Sequence, residues 1–480
     1  MADKDRFDIS VSKKNMELAA DVAKDKRLTG DRYKLSTVDP AYGPAKNSSH
    51  ARYDTPRTPL EFDIENINMF KYDMDHCIKC KGCYWVEHTY NPGVKFNTRC
   101  PANLYNDFDA YGAMGKMRIG LRIIDGTLEW TPQLLNIIYA CPLCGACDVA
   151  CKRNLDLEIN LSLEAMRVKA VKDGAAPLPA HKEVIDKIAA TGNIYGEKSD
   201  RKAWAKGIKV ADKADVLYYV GDNTSYKNPQ IAQATAKILE KIGVDFMLLA
   251  DEKNDANITF SIGMVDEARK VAKETVEAIK ATGAKTVVIS DAESYRMFKV
   301  DYPKLLDIAT ADLGFEVKHI IELAAAAIEE GKLVLTTPVD TRMAYHDASS
   351  VSRLCDDWTP YKGERGWMGM IYPGQRRRRG RENLYAQART IMAAVPGADN
   401  CEFIRIRENA FDIAAGRGTD IAFPGLTEFA TKHRLDEAKE CGIETIVSAD
   451  PQCRDAFNMY ADPKDGIEAI DITELIVKAL

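Results

Sequence analysis

Eight of the twelve cysteines in this 480-residue chain fall between residues 75 and 155. They form two runs with Cys100-Pro101 between them: Cys77-x-x-Cys80-x-x-Cys83 and Cys141-x-x-Cys144-x-x-Cys147-x-x-x-Cys151. Three thiolates at this spacing can each reach a different iron of one iron–sulfur cube, while a fourth must arrive from elsewhere. Cysteine pairs also make zinc sites, but two triplets with an outlying Cys-Pro favour [4Fe–4S] clusters.

The spacing also indicates how the two runs share their cysteines. In the two-cluster pattern, the fourth cysteine of each run ligates the cluster of the other run. We therefore predict one cluster on Cys77, Cys80, Cys83 and Cys151, and a second on Cys141, Cys144, Cys147 and Cys100. The chain departs from the simple pattern at two positions, Glu87 in place of a fourth cysteine and Lys152 in place of proline. The insertion before Cys100 is tolerable, because surface loops lengthen at small entropic cost.

Several residues near the cysteine runs have two interpretations each. Lys79 and Lys81 would raise the potential of a nearby cluster, or merely solvate its rim. His88 is a candidate ligand or a surface residue, and Gly145 is expected where the backbone must approach a cube closely. Three further cysteines have no CxxC partner: Cys355, Cys401 and Cys441. We expect them to be free thiols.

Composition excludes some classes of protein. A net charge of −6 gives no reason to expect nucleic acid as a partner. No run of about 18 apolar residues predicts a membrane span, and the polar N-terminus lacks the apolar core of an export signal. Clustered cysteines are typical of a reducing compartment in which thiols hold cofactors. We therefore expect a cytoplasmic protein from a setting with little oxygen.

Patterning along the chain indicates an α+β multidomain protein. Residues 1–70 are polar and irregular, which fits either an extended arm on a partner or a partly disordered tail. Residues 71–175 form the predicted all-α cysteine domain, with helices at 114–124, 132–140 and 160–172. Residues 176–212 are predicted to be a linker.

From residue 213 the pattern changes to alternating strands and helices, which predicts parallel sheets. The segment 281–289, a helix end, a glycine and an apolar strand, matches 440–448. This indicates an internal duplication, with one α/β domain at 213–332 and a second at 333–480. The predicted strands are 216–220, 246–249, 286–289 and 317–320, then 333–335 or 343–345, 401–404 and 445–447. Helices are predicted between them, at 229–242, 264–282, 382–394 and 428–441.

A two-cluster ferredoxin-like module followed by a duplicated α/β domain resembles a known family. Its members are iron–sulfur proteins related to the D and B subunits of heterodisulfide reductase, the iron–sulfur subunit of glycolate oxidase and the C subunit of anaerobic glycerol-3-phosphate dehydrogenase. Their C-terminal part contains two cysteine-rich "CCG" domains. The matching segments within residues 70–480 are Tyr219-Val220-Gly221, Tyr345-His346-Asp347, Val395-Pro396-Gly397 and Arg407-Glu408-Asn409.

The ligand cysteines that the resemblance implies are almost all replaced. The first repeat carries Asp222, Asn254, Asp255, Asp291 and Ser294 at those positions, and the second carries Ser349, Asp412, Ile413, Asp450 and Cys453. In heterodisulfide reductases such cysteines bind noncubane clusters that cleave a disulfide. One thiolate cannot rebuild such a cluster, because iron–sulfur units need soft sulfur ligands. The new carboxylates could instead bind a cation, with Asp222, Asp255 and Asp291 at one site, or could cap helices.

The densest charge run is Arg376, Arg377, Arg378, Arg379 and Arg381. It could dock an acidic partner or an anionic cofactor such as CoA or a flavin phosphate. The alternative is a solvated loop.

Three functional hypotheses remain open from the sequence. The first is an electron-transfer subunit that uses two [4Fe–4S] clusters between a flavoprotein or ferredoxin and a catalytic subunit, within a hetero-oligomer. The second is a catalytic subunit that acts on a thiol, disulfide or acyl-CoA through Cys453, with His346 nearby. The third is a structural adaptor of a redox complex.

Overall fold

The computed structural model describes residues 58–85, 95–152, 157–366, 371–373, 380 and 383–480. The chain divides into a larger unit of residues 60–362 and 376–480 and a smaller unit of residues 1–59 and 363–375. In the described part of the smaller unit, Glu364 pairs with Tyr372 and Arg365 with Ile371 in an antiparallel ladder. Most of the predicted N-terminal arm, His88 and the arginine run at 376–379 and 381 lie outside the described residues.

The cysteine region is helical, as predicted. Its helices are Lys71–Asp75, Pro101–Asn106, Ala113–Ile124, Pro132–Tyr139, Ala146–Lys152 and Ile159–Lys172. Local sequence explains where they begin. Thr131 accepts a hydrogen bond from the Leu134 N–H at 3.1 Å and is followed by proline, so this helix has a capping side chain and a favourable first residue. Proline likewise follows Cys100, which stays extended at the start of its helix.

The first α/β domain contains a four-stranded parallel sheet. Its strands are Val216–Tyr219, Phe246–Met247, Thr286–Ile289 and Glu316–His319, and their spatial order is second, first, third, fourth. Val287, Val288 and Ile289 have no exposed surface, as expected for a parallel strand covered on both faces. The covering helices include Pro229–Lys241, Val265–Thr282 and Ile320–Glu329.

The second α/β domain repeats this topology. Its strands are Arg342–His346, Asp399–Cys401, Thr445–Ser448 and Glu468–Asp471, again parallel and in the order second, first, third, fourth. Its helices include Tyr385–Ala393, Pro424–Glu440, Pro451–Tyr460 and Ile472–Ala479. The predicted fold class, a helical cysteine domain followed by two α/β domains with parallel sheets, is confirmed.

The structure differs from the predicted elements at several boundaries. Of the two segments predicted to start the second sheet, 343–345 is confirmed, within the strand Arg342–His346, and 333–335 is not a strand. The strand predicted at 401–404 ends at Cys401, because the chain then leaves the sheet and places Arg405 in a buried ion pair with Glu437 at 2.6 Å. The strand Glu468–Asp471 was not predicted, because it contains only two apolar residues. None of the described helices is long and apolar enough to cross a bilayer.

The helix Ile159–Lys172 packs closely on the backbone of the first α/β domain at Gly263. A Cβ atom at Gly263 would lie 2.5 Å from the carbonyl carbon and oxygen of Arg167. Tyr139 supports the same contact, because its hydroxyl donates to the Ile262 carbonyl at 2.8 Å. The cysteine domain and the first α/β domain are therefore fixed against each other by backbone as well as side chains.

Gly263→Ala should destabilise the protein through both backbone strain and this clash. The residue has φ +97°, where an L side chain costs about 1–2 kcal/mol, and the clash should add on the order of 1–3 kcal/mol. Urea unfolding followed by circular dichroism would measure the loss. Gly243→Ala is the matched control, because Gly243 has φ +74° and nothing within 4 Å of its added Cβ. Equal losses for the two variants would contradict the close packing.

Candidate iron–sulfur centre

The first cysteine run meets the end of the second at one concavity near the surface. Cys77, Cys80, Cys83 and Cys151 all line it, which is the grouping that the sequence predicts for the first cluster. Cys80 is exposed and the other three are partly buried. The helix Ala146–Lys152 carries Cys151 to this place from the second run.

The thiols predicted for the second cluster lie deeper in the protein. Cys144 is buried, while Cys100, Cys141 and Cys147 are partly buried. Cys100 lies close enough to Cys141 for the two thiols to interact electrostatically. The two groups of thiols also adjoin, because Cys83 interacts with Cys100.

Burial makes these thiols hard to ionise on their own. It raises the pKa of Cys83, Cys100 and Cys147, and it raises the pKa of Cys144 to about 12. At Cys100 the charge of Lys116 and the backbone N–H groups of the following helix partly offset this effect. Bound metal reverses the preference, because a coordinating thiol is deprotonated outright.

The donor set fits iron–sulfur cubes. In the described ranges, no three His, Cys, Asp or Glu side chains converge as ligands of a single metal ion. A cube makes no such demand, since its four thiolates bind four different irons. Two neighbouring groups of four thiols therefore match the ligand requirement of two cubes.

Buried arginines surround the second cysteine run. Every carbonyl oxygen of residues 141–144 accepts a hydrogen bond from a guanidinium group. Arg353 donates to the Cys144 carbonyl at 2.6 Å. Arg417 donates to the carbonyls of Leu143 and Pro142 at 3.0 and 2.8 Å. Arg167 donates to the Cys141 carbonyl. These residues are far apart in the sequence and belong to no motif, so the pattern of residue types gives no signal for them.

The same loop also packs against the second α/β domain. Gly145 has φ +70°, and a Cβ atom there would lie 2.5 Å from Cδ2 of Leu354. From the sequence, this glycine is expected to allow close approach of the backbone to a cube. The structure adds a second requirement, the contact with Leu354.

Comparisons with known proteins agree with this arrangement. The 4Fe-4S dicluster domain matches residues 73–155, and the cysteine-rich domain matches twice, at residues 216–299 and 377–458. The D subunit of dihydromethanophenazine:CoB–CoM heterodisulfide reductase from Methanosarcina barkeri is 27% identical over 88% of this chain and 98% of its own length. The resemblance to iron–sulfur proteins related to heterodisulfide reductase is therefore confirmed, and the chain carries a 4Fe-4S dicluster domain and two cysteine-rich domains.

Other relatives cover less of the chain. The probable iron-sulfur-binding oxidoreductase FadF of Bacillus subtilis is 23% identical over 74% of this chain and 49% of its own length. The C subunit of anaerobic glycerol-3-phosphate dehydrogenase from Escherichia coli is 26% identical over 31% of this chain and 38% of its own length. The chain is thus similar to relatives that are named for oxidoreductases of several kinds.

The positions at which the resemblance implies ligand cysteines lie past the carboxyl ends of the parallel strands. In the first domain, Asn254 donates to Asp222 at 2.7 Å, and Ser294 donates to Asp255 at 2.7 Å. Asp222 also pairs with Arg201. The side chains at these positions therefore satisfy one another by hydrogen bonding.

The corresponding positions of the second domain show the same kind of bonding. Ser349 donates to Asp412 at 2.7 Å, Cys453 donates to Asp450 at 3.4 Å, and Ile413 is buried. With one thiol among these positions, they do not fit a noncubane iron–sulfur cluster.

The aspartates at the strand ends act as helix caps. Asp291 accepts a hydrogen bond from the Ser294 N–H, and Asp450 accepts from the N–H groups of Gln452 and Cys453. Burial raises the pKa of Asp291 well above its ordinary value, and the charge of Asp450 adds to this effect. Capping is one of the two interpretations that the sequence allows for these carboxylates, and it explains their hydrogen bonds without a cation.

Cys453 and His346 are both enclosed. Cys453 is 6% exposed, and burial raises the pKa of its thiol well above the ordinary range. His346 is 1% exposed, and burial lowers the pKa of its imidazole. A buried thiol with a raised pKa is held in its unreactive form.

Asp450→Asn should gain stability relative to the wild-type protein as the pH rises. Burial raises the pKa of Asp450 from 3.8 to about 7, so the native state loses stability as the pH increases through this window. Asparagine cannot ionise and still caps the helix. Unfolding of the full chain at pH 5 and pH 8 should show a relative gain of about 3 kcal/mol, because about two pKa units of the shift lie above pH 5 and each is worth about 1.4 kcal/mol. Asp462→Asn, at an exposed helix cap, is the control. A difference between Asp450→Asn and wild type that does not change with pH would contradict the prediction.

Proposed function

We propose that this chain is the electron-transfer subunit of a multi-subunit, anaerobic oxidoreductase in the cytoplasm. It would hold two [4Fe–4S] clusters and relay electrons between a flavoprotein or ferredoxin and a catalytic subunit. The observation that carries the proposal is the pair of adjoining four-thiol groups, in which each cysteine run completes the group of the other. Such clusters supply one-electron transfer, and the protein contributes position, hydrogen bonding and electrostatics.

The exposure of the two groups supports a relay. The first group reaches the surface at Cys80, and Ile78 in the same cysteine run is 65% exposed. The second group includes the buried Cys144, and its loop is bonded to Arg353 and Arg417 of the second α/β domain. A redox partner can therefore approach the first group at Cys80 more closely than it can approach Cys144.

The α/β domains support a division of labour between subunits. Their former ligand positions are filled by mutually bonded polar side chains, so we propose that they act as a docking platform. The Methanosarcina barkeri relative is named for a heterodisulfide reductase. In the complex that contains this chain, any comparable substrate chemistry would belong to another subunit.

Replacing single shared cysteines tests the assignment. Cys151→Ser should remove the first cluster and Cys100→Ser the second, each leaving its neighbour. Iron content should fall from about eight to about four atoms per chain, and each variant should lose a different EPR signal. Cys401→Ser is the control, because Cys401 lies on a strand of the second sheet.

Two results would overturn this assignment. One is zinc in place of iron in the anaerobically purified protein. The other is loss of the same EPR signal in both cysteine variants.

A second experiment tests the catalytic-thiol hypothesis, which requires a reactive Cys453. Because Cys453 is enclosed and its thiol pKa is raised, we expect Cys453→Ala to retain full activity in the purified complex. Iodoacetamide should also leave Cys453 unmodified in the native chain while alkylating it after unfolding, as peptide mass spectrometry can show. Loss of complex activity in Cys453→Ala, with normal cluster content, would favour a catalytic role.

A structural adaptor is separated from a relay by redox titration. Two [4Fe–4S] signals at potentials within reach of a biological donor support the relay. Clusters that stay oxidised at all such potentials would favour the adaptor.

A further inference from the structure

We propose that the buried guanidinium groups of Arg167, Arg353 and Arg417 raise the reduction potential of the cluster held by Cys100, Cys141, Cys144 and Cys147, so that an electron on this chain resides there in preference to the first cluster. This inference rests on the proposed function, because it requires both clusters. It also states which of the two clusters accepts the electron more favourably.

The buried charges around the second cysteine run do not balance within the protein. Within the described ranges, the hydrogen bonds of the Arg167 guanidinium all go to backbone carbonyl oxygens, and no carboxylate lies within ion-pair distance. Arg353 is fully buried, and its nearest carboxylate, Asp412, is 3.9 Å away. Arg417 alone has a close partner, the two oxygens of Glu293 at 2.8 and 2.9 Å.

A buried cation without a close anion is strongly unfavourable. Four thiolates around an iron–sulfur cube supply the missing charge, because such a cluster is anionic and becomes more anionic when reduced. The arginines therefore stabilise the reduced form more than the oxidised form. This difference is what raises a reduction potential.

The arginines are held rigidly in place. Arg417 has φ +52° and lies between Gly416 at +122° and Gly418 at +78°. A left-handed conformation at a non-glycine residue is strained and persists only where the surroundings enforce it. Here the side chain makes hydrogen bonds of 2.6 Å to both Ser349 and Ser350, besides those to Glu293 and the cysteine loop.

The cations near the first cluster site are placed differently: buried Arg99 bridges the two cysteine runs, donating to the Trp85 carbonyl at 2.7 Å and to the Ala146 carbonyl at 3.5 Å, while the lysines of the first run lie at the surface. Lys79 and Lys81 beside it are exposed, and Lys81 pairs with Asp109 at 2.9 Å. Water and salt screen exposed charges, whereas buried charges are screened much less. The arginines should therefore act selectively on the second cluster.

The redox step itself is a one-electron exchange. The flavoprotein or ferredoxin partner is oxidised as it supplies one electron, and that electron is shared between the two clusters of this chain. No bond forms or breaks, and no proton is transferred. The arginines change only the equilibrium between the two sites.

Two substitutions that change the local charge in opposite directions test the proposal. The midpoint potential of each cluster is measured by EPR-monitored redox titration of the full chain. Arg353→Gln removes a positive charge and should lower the midpoint potential of the second cluster. Glu293→Gln removes the negative charge that offsets Arg417 and should raise it. Each should change the sharing equilibrium at least tenfold, which is about 59 mV for one electron, and leave the first cluster unchanged. The Cys100→Ser and Cys151→Ser proteins identify which signal belongs to which cluster.

The controls separate charge from folding. Arg353→Lys keeps the charge and should stay near the wild-type potential. Arg201→Gln alters a buried ion pair of the first α/β domain, with Asp222 and Glu252, and should shift neither cluster. If the Arg353→Gln protein fails to assemble the second cluster, the midpoint potential of that cluster in Glu293→Gln still tests the inference, because it should rise.

Shifts of the same sign in Arg353→Gln and Glu293→Gln, or no shift in Glu293→Gln, would overturn the inference. The proposed function fails separately, if the wild-type chain lacks two [4Fe–4S] signals.

Discussion

The guanidinium group of Arg417 joins the three main parts of the larger unit. It binds Glu293 of the first α/β domain, Ser349 and Ser350 of the second, and two carbonyl oxygens of the cysteine loop. A fully buried ion pair contributes little net stability but is costly to break. Its main effect is thus on geometry, since these partners are satisfied together in only one arrangement of the domains.

At the positions where the resemblance implies ligand cysteines, the two α/β domains carry polar side chains that bond to each other. Ser294 donates to Asp255 and Ser349 donates to Asp412. Buried polar groups need partners, and these side chains supply partners for one another. The parallel sheets that carry them have the same strand order in both domains.

Sequence patterns predict the elements of this chain better than its long-range contacts. Buried strands such as 286–289 and helices such as 132–139 stand out because their apolar periodicity is local. The short strand 468–471 does not stand out, because glutamate and aspartate at its ends hide its two apolar residues. The cysteine spacing likewise predicts which thiols lie together at the first cluster site. Arg167, Arg353 and Arg417 cannot be found in this way, since only the folded chain brings them to one loop.

One short helix would set the distance between the two proposed clusters. Cys147 and Cys151 both lie on the helix Ala146–Lys152, yet belong to different groups of four thiols. Four residues of helix rise about 6 Å, so a single helical turn would be the spacer between the clusters. In the proposed arrangement this spacing does not depend on the length of the insertion between Cys83 and Cys100, because the insertion lies outside the helix.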